Sequence, residues 1–91
     1  MTLDQLRAYR YHIRHPTEQG YADMAEVERF VNSIPKEYDM ERKMISGYYI
    51  KGLTWREVSA AFYPNDEDNC RTKSKRCLIK LGVIFPKRAP K

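Results

Sequence analysis

The chain predicts an all-α fold, a small helical bundle of about five helices that ends in a helix-turn-helix. Three observations carry that expectation. Apolar residues recur at 3- and 4-residue steps along most of the chain, and no stretch alternates apolar and polar residues as a half-buried strand does. Two candidate capping boxes, Thr2 with Gln5 and Thr54 with Glu57, mark helix starts, because hydroxyl and amide or carboxylate reciprocally satisfy free backbone amides. Pro and Gly fall where those periodic segments break. At 91 residues the chain makes one domain, which buries roughly 60–65% of its unfolded surface. The expected organisation is a single helical domain over 1–84 and a basic flexible tail over 85–91.

The first helix runs from Leu3 toward His15 behind the Thr2 cap. Leu3, Leu6, Tyr9 or Arg10, and Ile13 form its apolar stripe, and Pro16 stops it. Tyr9 and Tyr11 cannot share a face, so at most one points inward. The helix reads as packing support, with Arg7, Arg10 and Arg14 as secondary phosphate contacts. Residues 15–20 read as a polar loop between Pro16 and Gly20. A second helix is expected over 22–34, with Met24, Val27, Phe30 or Val31, and Ile34 on its apolar face. Asp39 is the expected cap of a third helix that carries Met40, Met44, Ile45, Tyr48 and Tyr49 to Lys51, with Gly52 as C-cap.

The last two helices form the expected helix-turn-helix, over about 53–82. Behind Thr54, the residues Val58, Ala61 and Phe62 share one face, and Pro64-Asn65 breaks the helix. Asp66 caps the next helix, where Glu67 and Asp68 suit the positive end of its dipole. Gly82 closes it after Leu81. On that helix Cys70, Ser74, Cys77, Leu78 and Leu81 share a face, while Arg71, Thr72, Lys75 and Arg76 lie mostly opposite, flanked by Lys73 and Lys80. An exposed basic helix held by a smaller one is what a major-groove reader presents to DNA. A solvated amphipathic helix is the plainer reading.

Composition points the same way. The formal charge of +5 and pI of 9.3 suit a polyanionic partner. From residue 71 to 91 there are eight Lys or Arg and no Asp or Glu. No apolar run approaches the ~20 residues needed to span a bilayer, so no membrane partner is expected. MTLDQLRAYR lacks a signal peptide's apolar core, which predicts a cytoplasmic chain. Catalysis is not expected. Both His fall between residues 12 and 15, no nucleophile–base constellation is present, and no glycine-rich phosphate loop occurs. Cys70 and Cys77 lie seven residues apart on one helix, roughly 10 Å along its axis, too far for a mutual disulfide. Their spacing is not that of a zinc knuckle, so they read as small core residues, and no metal or cofactor is expected.

The run IPKEYDMERKMISGYYIKGLTWREVSAAF, followed by KRCLIKL, resembles region 4 of the sigma-70 family of transcription initiation factors. The likeness spans about 34–82. With LRAYRYHIRH and a further helix in front, the whole chain also looks like the small sigma-region-4-like regulators of phages and prophages. The resemblance implies promoter DNA binding in the cytoplasm of a bacterial host, with RNA polymerase as a second partner. It implies reading residues at Asp66, Glu67, Asn69, Arg71, Thr72, Lys73 and Arg76. Lys75 and Lys80 add to the basic set, and Thr54, Trp55 and Arg56 would approach the backbone at a helix N-terminus. Trp55 also has a packing reading, as the cover of a small core's end. Two departures from the family pattern are the longer, proline-containing turn 62–65 and the acidic opening Asp66-Glu67-Asp68. A carboxylate there accepts from cytosine or simply caps the helix. The rival class is a non-catalytic interaction module that docks the same basic helix on an acidic protein surface, of RNA polymerase or a phage packaging partner. The tail either follows the DNA backbone or merely solubilises the chain.

Overall fold

A computed structural model describes residues 1–86 as five α-helices. They are α1 (Leu3–Arg14), α2 (Glu18–Asn32), α3 (Asp39–Ile45), α4 (Trp55–Phe62) and α5 (Glu67–Lys80). The protein is a small all-α bundle. Among the described residues the only strand-like feature is one isolated parallel bridge between Thr2 and Ile84.

The local signals act as the sequence predicts at most helix ends. Both capping boxes form, with the Gln5 amide donating to Thr2 Oγ1 and the Glu57 amide donating to Thr54 Oγ1 at 3.2 Å. Asp66 accepts from the Asn69 amide at the start of α5. At its far end Gly82, at φ +87°, lets its own amide reach Ile79 O and the Val83 amide reach Leu78 O. That pair of bonds satisfies carbonyls the helix leaves free.

Three expectations are corrected. α2 begins four residues earlier than the sequence suggested, because Thr17 caps it by accepting from the Gly20 amide at 2.9 Å. Gly20, assigned to a loop, is therefore buried inside a helix. Asp39 is the first residue of α3 rather than its cap, and a short 3₁₀ turn, Lys36–Tyr38, precedes it. Its carboxylate instead pairs with Arg42 at 2.7 Å and Lys43 at 3.2 Å. The third helix also does not continue as α to Lys51. It widens into a π-helical turn, Ser46–Ile50, where the Lys51 amide bonds to Ser46 O. Gly52, at φ +78°, follows it and lets the Leu53 amide return to Gly47 O at 3.0 Å.

The core gathers one face of every helix. Leu3, Leu6 and Tyr9 of α1 meet Val27 and Val31 of α2, together with Ile45, Tyr49, Cys77, Leu78 and Val83. Met44, Val58 and Cys70 form a second cluster where α3, α4 and α5 pack on one another. Of the two tyrosines in question on α1, Tyr9 is the one that points inward; Tyr11 is exposed and stacks on His15. Ile13, Met40 and Ala61, expected on apolar faces, are exposed instead. Ser59 is buried in α4, with its hydroxyl donating to Arg56 O.

The first residues and the segment that follows α5 meet across the bridge. The Leu3 amide donates to Ile84 O and the Ile84 amide to Met1 O, at 2.9 and 3.0 Å. Phe85, placed in the tail by sequence, packs against the core. The rest of the expected tail, 87–91, lies outside the described residues.

Candidate nucleic-acid interface

α5 owes its placement to four small or apolar residues. Cys70, Ser74, Cys77 and Leu78 are buried, and the Ser74 hydroxyl is satisfied by Cys70 O at 3.0 Å. Burial pushes both thiols up, that of Cys77 to about 11, so they are neutral packing groups at pH 7. With 100° per residue, that buried strip leaves an exposed arc of roughly 200°. Every Lys and Arg of α5 stands on it, exposed.

The arc has two flanks and a crest. Arg71 and Lys75 lie on the flank toward α1, while Lys73, Arg76 and Lys80 lie on the other. Thr72 and Ile79 occupy the crest between them, and Asn69, half-buried, lies on the second flank between Arg76 and Lys80. The expected reading residues thus belong to one helix but spread over both of its sides.

The acidic opening is largely spent within the first turns. Asp66 caps, and Glu67 Oε1 accepts from Arg71 Nη2 at 2.7 Å. Asp68 is exposed and has no hydrogen bond or ion pair among the described residues. One of the three carboxylates therefore stays uncommitted on the arc.

At α4 the capping box uses the Thr54 hydroxyl and the amides of Thr54 and Glu57. Glu57 also places a carboxylate at the positive end of the helix, where a phosphate would otherwise gain most. Trp55 is half-buried and lies parallel to Tyr48, with ring centroids 4.1 Å apart and planes at 11°. Tyr49 meets it edge-on at 6.3 Å. These contacts fit the packing reading of Trp55. Arg56, beside it, is exposed.

Two adjoining concavities of about 530 and 850 Å³ lie between α1, the amino end of α4 and α5. Arg7, Arg10 and Arg14 line the first with Thr54 and Trp55, and Arg7 joins Arg71 and Lys75 around the second. Arg10 Nη1 donates to Ile50 O at 3.1 Å, which ties α1 to the π turn. Lys75 Nζ stands 5.7 Å from the centroid of the Phe85 ring. Sequence reasoning noted the three arginines but not their meeting with α5 or the place of Phe85. Only their spacing, at steps of three and four on one helix face, signals a shared direction. Comparison with protein-family models, curated proteins and solved structures gives no match for this chain.

Proposed function

We propose that the protein is a sequence-specific, DNA-binding transcriptional regulator of the sigma-region-4-like phage or prophage type, acting in the bacterial cytoplasm. In this reading α5 enters the major groove and α4 steadies it. What supports it most is the exposed arc of α5, where five cations stand on two flanks while one opening carboxylate caps the helix and a second is paired with Arg71. Lys and Arg release counterions from phosphates, which makes affinity fall with salt. Side chains nearer the crest read base edges, Arg most strongly through paired donors to guanine.

Arg76→Ala is expected to relax preference at one position by about 1–3 kcal/mol. Lys80→Ala is expected to weaken all duplexes alike and to flatten the salt slope by about 0.9. Titrations of a selected and a random duplex at several salt concentrations check both. Parental behaviour of Arg71→Ala, Arg76→Ala and Lys80→Ala on every duplex would remove α5 as the reader.

One observation favours a protein partner instead. Ile79 is 52% exposed on the crest, and an exposed apolar side chain among cations suits an acidic, partly apolar protein surface. RNA polymerase or a phage packaging protein would present such a surface. No retention on heparin, together with capture of one such acidic partner by the purified chain, would favour that reading.

A further inference from the structure

We infer that the depression enclosed by α1, the amino end of α4 and one flank of α5 seats the sugar-phosphate backbone of duplex DNA beside the groove that α5 enters. The inference rests on the DNA-binding reading and adds a second element, α1, to it. The walls hold five cations, Arg7, Arg10, Arg14, Arg71 and Lys75. They hold one carboxylate, Glu67, and it is already paired with Arg71 at 2.7 Å. A surface so one-sided in sign, in a chain of formal charge +5, selects an extended anion.

Spacing selects which one. Arg7 and Arg14 are separated by seven residues of helix, roughly 10 Å along the axis. A DNA strand carries a phosphate every ~3.4 Å of duplex axis, so the row faces about three successive base steps. The half-buried Trp55 and Tyr48 line the same depression as the three arginines, and low-dielectric walls beside charges of one sign focus their field. Arg10 is held by Ile50 O. Its guanidinium has five donors in all, so donors remain for a phosphate. Arg7 and Arg14 are exposed and have no hydrogen bond or ion pair among the described residues.

The test is the double variant Arg7→Gln/Arg14→Gln, which keeps the Arg10 tie to the π turn. Its fold is checked by helical circular dichroism and thermal melting. Binding to a selected and a random duplex is then measured from 50 to 200 mM salt. The log–log salt slope is expected to flatten by about 1.8, so the affinity lost over that range shrinks by about 12-fold. The ratio of affinities for the two duplexes is expected to stay at its parental value. A parental slope in a folded variant that still prefers the selected duplex overturns the seat and leaves α5 as the reader. A changed ratio with an unchanged slope also overturns it, because α1 then reads bases. A parent chain that binds no duplex at any salt removes both the seat and the DNA-binding reading.

Discussion

Gly52→Ala and Gly82→Ala are the same change at two helix ends, yet the surroundings predict different costs. Both glycines have positive φ, +78° and +87°, where an L side chain costs about 1–2 kcal/mol. A Cβ at Gly82 meets nothing within 4 Å, so that backbone cost is its whole effect. At Gly52 the same atom falls 2.7 Å from Arg10 Nε and 2.8 Å from Arg10 Cζ. The flexible end of the arginine must then shift, at the expense of its exposed bond to Ile50 O, and a typical intramolecular hydrogen bond is worth about 0.5–1.5 kcal/mol. Gly82→Ala is thus expected to cost about 1–2 kcal/mol and Gly52→Ala about 1.5–3.5 kcal/mol. Urea midpoints at constant m value measure both. In an Arg10→Ala background the Gly52→Ala cost should fall to that of Gly82→Ala, since the coupling partner is gone. Equal costs in the parent, or a Gly52 cost unmoved by Arg10→Ala, would refute the contact between α1 and the π turn.

Thr54→Ala removes the hydroxyl that accepts from the Glu57 amide and is expected to destabilise the chain by about 1 kcal/mol. Thr54→Ser should restore most of that loss in the same thermal melts, and an unchanged melting point for Thr54→Ala would sink the cap. Stability should also fall at alkaline pH. Burial, and then the hydrogen bond to Glu28, push the Tyr9 hydroxyl from 10.0 up to about 12. A pKa raised in the folded state gives stability that is complete below about pH 10 and is lost as pH climbs toward 12. Urea midpoints at pH 9 and 11 should drop less in Tyr9→Phe than in the parent; equal drops would mean the hydroxyl is not shielded.

Most helix ends that a short-range bond sets were legible. Thr2 with Gln5, Thr54 with Glu57, Asp66 and Gly82 each act within a few residues, and sequence carries such spacings directly. Thr17 uses the same chemistry but was hidden, since the following Gly20 reads as a breaker and Pro16 as part of a loop. The π turn had no local signal at all. Its cause is tertiary, because the wider turn carries Tyr49 into the core while Tyr48 lies flat on Trp55. The basic arc of α5 was legible from periodicity. The cleft was not, because nothing in either helix's own pattern states how α1 is turned relative to α5. Phe85 escaped for a related reason: the Ile84 bridge to the first residues fixes it, across almost the whole length of the chain.

The arrangement of charge on α5 bears on which kind of partner suits it. A flat acidic protein surface engages one side of a helix, so cations on the far side would add little to docking and would stay hydrated. A major groove is different, since it has a phosphate backbone along each wall and base edges on its floor. Arg71 and Lys75 on one flank, with Lys73, Arg76 and Lys80 on the other, match two walls of negative charge, and the uncharged Thr72 and Ile79 stand between them. Ile79, the feature that favours a protein surface, does not bar a groove, because thymine presents a methyl group on its floor. The flank of Arg71 and Lys75 is also the one continued by Arg7, Arg10 and Arg14. One wall would therefore be gripped by two helices and the other by α5 alone. That asymmetry favours a duplex lying off-centre, shifted toward α1.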